Sequence, residues 1–294
     1  MKGTIIENIS NLYKIMCENG EIFEANARGK LKQEEITPVV GDKVEFTKLD
    51  EVGKAVIEKI EERKVYIKRP KMANVTQLIF VVSSNDPKPD LLMLDKSLAF
   101  SEYIGTKAII VLNKIDLDKK HEFIQIKKIY EQIGYKVIET NAKQGDGINE
   151  LNNEIKNNIS AFSGNSGVGK STLINAIFKK DITQEGEISK KNKRGKNTTT
   201  STNLYKVEDN TYISDTPGFS TFDITEIECK YLANYFKEFK TEIEQCEYID
   251  CSHLKEENCG IKKALKQGKI SQDRYDRFCK IYLELKEKED NKKW

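Results

Sequence analysis

The run Gly164-Asn165-Ser166-Gly167-Val168-Gly169-Lys170-Ser171 constrains this chain more than any other feature. It fits G-x4-G-K-[S/T] in full. It follows the apolar run Ile159–Phe162 and opens the helical pattern Lys170–Phe178. That strand–loop–helix setting is what the pattern requires. The glycines let the backbone wrap closely, so that its N–H groups face a phosphate, and the helix N-terminus adds a favourable dipole. Lys170 is expected to reach the β- and γ-phosphates. The Ser171 hydroxyl is expected to ligate Mg²⁺, with Thr172 ending the nucleotide-contacting run. A chance glycine-rich turn would rarely carry Lys-Ser in place after a buried strand.

A second motif reads the base. Asn113-Lys114-Ile115-Asp116 ends the apolar run Ala108–Leu112. An ionised Asp carboxylate only accepts hydrogen bonds. Guanine offers N1–H and its 2-amino group as a donor pair that adenine lacks, so Asp116 selects guanine. Asn113 is expected to tie this loop to the base edge and the phosphate loop, with the Lys114 stem over the base plane. Alone, the four residues fit a surface turn equally well. Beside a phosphate loop they specify GTP and GDP as ligands.

Thr140-Asn141-Ala142-Lys143 follows the strand Lys136–Glu139 and resembles the Ser-Ala-Lys element of GTPases, where the Ala N–H meets guanine O6. Asn141 stands where Ser is usual. Asp215-Thr216-Pro217-Gly218 follows Tyr212–Ser214 and fits D-x-x-G. There Asp215 would hold Mg²⁺ through water and the Gly218 N–H would meet the γ-phosphate. Thr198-Thr199-Thr200 supplies the first switch, with Thr199 the favoured Mg²⁺ ligand and Thr198 next. Phe219 follows Gly218, where many GTPases place a water-orienting Gln. Phe cannot do that, so unaided hydrolysis is expected to be slow.

The order of these motifs is permuted. An ordinary GTPase runs phosphate loop, switch Thr, D-x-x-G, N-K-x-D, Ser-Ala-Lys; this chain starts with the base-reading pair. Such a permutation preserves the site if the old termini lay close together. It also leads the D-x-x-G segment directly into the C-terminal region.

Around this core the rhythm changes twice. Residues 1–68 read as short strands, at Ile5–Ile9, Leu12–Cys17, Glu21–Ala27, Lys43–Lys48 and Ala55–Ile60, with Asn19-Gly20 as a hairpin signal. An OB-fold fits, and an SH3-like barrel competes. Its aromatics, Tyr13, Phe23, Phe46 and Tyr66, are too sparse to indicate base stacking. Residues 69–224 alternate strands with helices at Leu92–Tyr103, Glu122–Ile133, Ile148–Asn158 and Lys170–Phe178, which predicts an α/β domain with a mostly parallel sheet. Residues 225–294 read as helical.

The chain carries 33% charged residues but a net charge of only +2, which excludes a polybasic nucleic-acid binder overall. Basic residues concentrate in Lys190, Lys191, Lys193, Arg194 and Lys196, and in Lys262, Lys263, Lys266, Lys269, Arg274, Arg277 and Lys280. Each run reads either as a solvated face or as an RNA contact. No run approaches the about 18 apolar residues of a membrane span, and no leader pattern opens the sequence. A cytoplasmic protein is expected.

Three of the six cysteines cluster with one of the two histidines, as Cys246-x4-Cys251-x-His253-x5-Cys259. Three thiolates and an imidazole suit tetrahedral Zn²⁺, and a full protein ligand set indicates a structural site. The competing reading is buried free cysteines beside a surface His. His121, the other histidine, falls on a helical surface stretch.

Taken together, the permuted order, the cysteine–histidine spacing, Gly41-Asp42, Arg69-Pro70 with Asn74, and Lys196-Asn197-Thr198-Thr199-Thr200 resemble the bacterial ribosome small-subunit-dependent GTPase A family over nearly the whole chain. The resemblance implies an OB-fold, a permuted G domain and a zinc-containing helical domain. It implies a GTPase, stimulated by the 30S subunit, that acts late in that subunit's maturation, with one Zn²⁺, with Mg²⁺ beside GTP, and with 16S rRNA contacts by a monomer. The family usually has His before the switch Thr pair. Here that residue is Asn197, which can orient water but cannot act as a general base near neutral pH.

Overall fold

The computed structural model describes residues 1–29, 36–178, 202–215 and 224–291. The N-terminal strands are β1 (Lys2–Ile9), β2 (Leu12–Met16), β3 (Ile22–Ala27), β4 (Lys43–Lys48) and β5 (Lys54–Ile60). They run in the order β1-β2-β3-β5-β4, and β4 returns to β1 to close the barrel. Only β3 and β5 are parallel. That order is the OB-fold's and excludes the SH3-like alternative. Alternate residues point inward, as a two-residue strand period dictates. Tyr13, Ile15, Phe23, Ala25, Val44, Phe46 and Ile57 fill the interior. Three of the aromatics are thus core, and exposed Tyr66 is covered by the Arg63 guanidinium 4.9 Å from its ring centre.

A short hairpin, β6 (Tyr66–Lys68) and β7 (Lys71–Ala73), leads out of the barrel. The expected domain boundary, 68/69, falls at its turn. Gly41 and Asp42 explain the junction. A Cβ on Gly41 would lie 2.0 Å from the Ala73 carbonyl oxygen, so only Gly permits this approach. Buried Asp42 accepts Arg63 Nε at 2.7 Å and Nη2 at 2.8 Å, a bidentate pair, together with the Val39 N–H at 2.8 Å. Asn74 donates to the Gly41 carbonyl and accepts the Lys64 N–H, both at 3.0 Å.

The central sheet holds β8 (Gln77–Ser83), β9 (Lys107–Asn113), β10 (Lys136–Thr140), β11 (Ile159–Ser163), β12 (Asn203–Glu208) and β13 (Thr211–Asp215). Their order is β10-β9-β8-β11-β13-β12, parallel except for β12. β12 meets β1 of the barrel through Glu7 and Asn203, so barrel and sheet are continuous. Every residue of β8 is buried, as expected of a parallel strand covered on both faces. Leu78, Phe80 and Val82 face helices α1 (Leu91–Tyr103) and α2 (Glu122–Gln132). Ile79 and Val81 face α3 (Ile148–Ile155) and α4 (Lys170–Phe178). α3 passes to β11 through only Lys156, Asn157 and Asn158. Asn158 fixes that joint, since its Oδ1 accepts the Thr76 hydroxyl at 2.8 Å.

The C-terminal region begins with 3₁₀ turns at Cys229–Tyr235 and Lys237–Phe239, followed by α5 (Lys240–Ile243), α6 (Gly260–Lys266) and α7 (Gln272–Asn291). Phe236, Phe239 and Phe278 form its centre, with ring centroids 5.0–5.2 Å apart. This region packs on α1, which explains why that helix is buried nearly continuously from Leu94 to Ser101. Asp95 of α1 and Arg274 of α7 pair there, with side chains 0% and 1% exposed. Arg274 also grips Glu238 at 2.7 and 3.0 Å, Arg277 pairs with the second Asp95 oxygen, and the Tyr130 hydroxyl donates to Asp95 at 2.6 Å. The second basic run is therefore divided. Arg274 and Arg277 are engaged by Asp95 and Glu238, while Lys263, Lys266, Lys269 and Lys280 stay exposed. No helix among the described residues is long and apolar enough to cross a membrane.

Candidate nucleotide site and metal centre

The phosphate-loop pattern occupies the turn from β11 into α4, at the carboxyl edge of the sheet, where ligands of such sheets bind. Gly169 has φ +99°, and a Cβ on it would lie 2.3 Å from Asn113 Nδ2. Only glycine lets the two loops meet. Lys170 folds back, its ammonium donating to the carbonyls of Gly164 at 2.5 Å and Asn165 at 3.0 Å. Val168 is buried beneath the loop, while Ser166, Gly167, Ser171 and Thr172 face solvent.

Asn113 joins three motifs. Its Nδ2 donates to the Val168 carbonyl at 2.9 Å. Its Oδ1 accepts the Thr140 hydroxyl at 3.0 Å and the Ala142 N–H at 3.2 Å. Asn113 is 2% exposed, so these bonds are unscreened and costly to leave unmade. Lys114 takes a left-handed conformation and its ammonium donates to the Asp86 carbonyl, while its own carbonyl accepts Ser84 Oγ at 2.9 Å. Ile115 is half-buried and begins a one-turn 3₁₀ helix that presents Asp116 to solvent. Asn141 is buried; its Oδ1 accepts the N–H groups of Lys143 at 3.2 Å and Gln144 at 3.3 Å. The departure from Ser thus builds a side-chain-capped turn.

Asp215 ends β13, the neighbour of the phosphate-loop strand. Asn197, Thr198, Thr199, Thr200, Gly218 and Phe219, and the basic run 190–196, lie outside the described residues. Sequence reasoning missed the segment 83–90. It touches both loops, through Ser84 and Asp86 at Lys114 and through Asp90, whose Oδ2 accepts Asn165 Nδ2 at 3.4 Å. The available signal was Asp90 directly before a helical pattern, a capping position.

The four cluster residues converge in the C-terminal region, their ligand atoms all within 4.8 Å of one another. Cys246 Sγ and Cys259 Sγ each lie 3.5 Å from His253 Nδ1, and 4.0 Å from each other. Tetrahedral bonds of about 2.3 Å to sulfur and about 2.0 Å to nitrogen give such separations, so the donors fit a metal. Tyr275 donates to the His253 carbonyl at 2.7 Å and the Gly260 N–H reaches Cys246 Sγ at 3.4 Å, second-layer contacts that orient ligands. Burial pushes the Cys251 thiol up to about 12 and the His253 imidazole down.

A parallel sheet whose base-reading loop precedes its phosphate loop, with Asn113 bonding one to the other, defines the class: a circularly permuted P-loop GTPase. The RsgA GTPase family model matches residues 60–225, and the RsgA N-terminal domain model matches residues 2–57. The small ribosomal subunit biogenesis GTPase RsgA of Clostridium botulinum strain Hall is 42% identical over 295 residues, with all of both chains covered. Its Clostridium beijerinckii counterpart is 42% identical over 293 residues, covering 99% of this chain and 100% of that one. The crystal structure of YjeQ from Thermotoga maritima superposes with a TM-score of 0.84 at 37% identity, covering 97% of this chain and 98% of that one. YloQ, a circularly permuted GTPase, gives 0.81 at 26% identity, covering 98% and 95%. The chain belongs to the RsgA GTPase family.

Proposed function

We propose that this GTPase works on the small ribosomal subunit, hydrolysing GTP to GDP and phosphate during late 30S maturation. The relatives named for small-subunit biogenesis span its full length, which supports that setting. The observation that supports this reading of the site is the Asn113 junction, where Nδ2 donates to the Val168 carbonyl and Oδ1 accepts the Ala142 N–H. Gly164 to Gly169 wrap the phosphates with backbone N–H groups, and Lys170 leaves its loop carbonyls to meet the β- and γ-oxygens. Ser171, Asp215 and Thr199, or Thr198 in its place, hold the Mg²⁺ that neutralises phosphate charge. The Gly218 N–H meets the γ-phosphate. Asp116 accepts from guanine, Lys114 covers the ring, and Asn141, Ala142 and Lys143 close over O6. Asn197 orients the attacking water, and with Phe219 in the usual Gln position the subunit supplies the remaining acceleration.

The units are residues 1–68, 69–224 and 225–294. Cys246, Cys251, His253 and Cys259 hold one structural Zn²⁺. A cytoplasmic monomer contacts 16S rRNA through its outer domains, with the exposed lysines of α6 and α7 among the contacts. The test is the GTP turnover rate with added 30S, 50S or 70S particles. We expect the strongest acceleration with 30S; an equal rate with all three and with none would remove the subunit from the proposal while leaving the GTPase.

A further inference from the structure

Helix α1 has one end on the phosphate loop and its flank in the C-terminal domain. Asp90 is the contact at the first end. Its Oδ1 caps α1 by accepting the Met93 N–H at 3.0 Å, and its Oδ2 accepts Asn165 Nδ2 of the phosphate loop at 3.4 Å. Pro87 supports the same place, since a Cβ on Gly167 would sit 3.5 Å from Pro87 Cδ. About one and a half turns further along the helix, Asp95 is fully buried and carries Arg274, Arg277 and the Tyr130 hydroxyl. Asp90, Pro87, Asp95, Arg274, Arg277 and Tyr130 belong to no nucleotide motif.

We propose that α1 couples nucleotide occupancy to the seating of the C-terminal domain, with Asp90 as the positioning residue for Asn165 and the Asp95–Arg274–Arg277 network as the far contact. The proposal rests on reading 164–171 as the phosphate loop. Lys170 is bonded to the Asn165 carbonyl in this structure. A phosphate draws that ammonium away and releases the carbonyl. Asn165 then shifts, and Asp90 shifts with it, because its other oxygen is fixed to the first turn of α1. A hydrogen-bonded helix moves as a body. Asp95 cannot follow without changing its bonds to two guanidinium groups in a largely buried contact, and packed contacts of this kind have discrete arrangements rather than a continuum. Linkage makes the effect reciprocal: whatever loosens the Asp95 network changes the affinity for the nucleotide. Coupling of this kind is established by non-additivity and not by proximity.

The experiment uses the full chain without ribosomal particles. Fluorescent GDP and a fluorescent non-hydrolysable GTP analogue are titrated against wild type, Arg277→Gln, Asn165→Ala, the double variant, and Lys280→Gln as an exposed control on the same helix. Binding of both probes by wild type secures the reading of the loop independently of the coupling. The expected result is that Arg277→Gln changes the affinity for both probes by about fivefold, Lys280→Gln leaves both unchanged, and Arg277→Gln adds nothing in the Asn165→Ala background. A folded Arg277→Gln protein with unchanged affinities, or strictly additive effects, overturns the proposal. A second arm needs no interface variant. Amide exchange across α7 should differ between nucleotide-free and GDP-bound wild type and not between those two forms of Asn165→Ala; identical exchange in the two wild-type forms also overturns it.

Discussion

At the residue scale, the site depends on a few atoms whose replacement has a defined sign. Asp116 presents only acceptors. Asp116→Asn offers one donor and one acceptor, which suits xanthine, whose position 2 is a carbonyl, better than guanine. We expect GTP affinity to fall by more than about tenfold, the cost of losing a charge-assisted pair, and xanthosine triphosphate to compete effectively. Competition binding checks this, and an unchanged preference for GTP would remove Asp116 from base recognition. Gly169→Ala puts a methyl group 2.3 Å from Asn113 Nδ2 at a positive φ. It should cost roughly 1–3 kcal/mol in denaturant unfolding and weaken nucleotide binding, because the Asn113 bond to Val168 must give way. At this scale the sequence was highly informative. The motifs are contiguous, and each residue type is required by chemistry that its neighbours also serve. Asp90 was not legible, since a helix cap and a phosphate-loop anchor look identical until the fold places Asn165 beside it.

At the element scale, legibility followed the strength of the hydrophobic pattern. β8, β9, β10, β11 and β13 were readable because both their faces are buried, so apolar runs mark them. β12 was missed because Lys206 breaks its apolar run between Tyr205 and Val207, and the hairpin β6–β7 because its strands are three residues each. The Asp95–Arg274–Glu238 network was invisible for a different reason. On a helix a lone charge reads as solvated, and only tertiary packing buries it. Arg274→Ala should therefore destabilise by about 3–5 kcal/mol, because it leaves Glu238 without its guanidinium partner and takes from Asp95 one of the two guanidinium groups that offset its burial. Lys280→Ala should stay within about 0.5 kcal/mol of wild type. Denaturant unfolding of both separates a buried network from a surface charge; equal effects would contradict the burial. The metal cluster makes a parallel prediction. Chelation, or Cys259→Ser, should release one metal ion per chain and lower the unfolding temperature of the C-terminal region. Elemental analysis with thermal unfolding reads both, and a metal-free preparation of unchanged stability would refute a structural metal.

At the scale of the whole molecule, charge is spread so that the outer surfaces, and not the net +2, would meet an anionic partner. Binding to 30S subunits should weaken steeply between low and moderate salt as phosphate contacts release counterions. A flat response would mean that shape and apolar contacts carry the association. The barrel joins the sheet at its edge strand, where β1 pairs with the first residue of β12 through Glu7 and Asn203.

The three-residue joint of Lys156, Asn157 and Asn158 has a consequence for how the protein is born. It makes everything from Asn113 to Thr172 one uninterrupted stretch, and that stretch contains both the base-reading and the phosphate-holding loops. The D-x-x-G segment and the metal ligands are translated afterwards. Since domains form from the N-terminus as synthesis proceeds, the parts that grip a nucleotide leave the exit tunnel before the parts that respond to it. In an ordinary GTPase the phosphate loop emerges first and waits for its base reader.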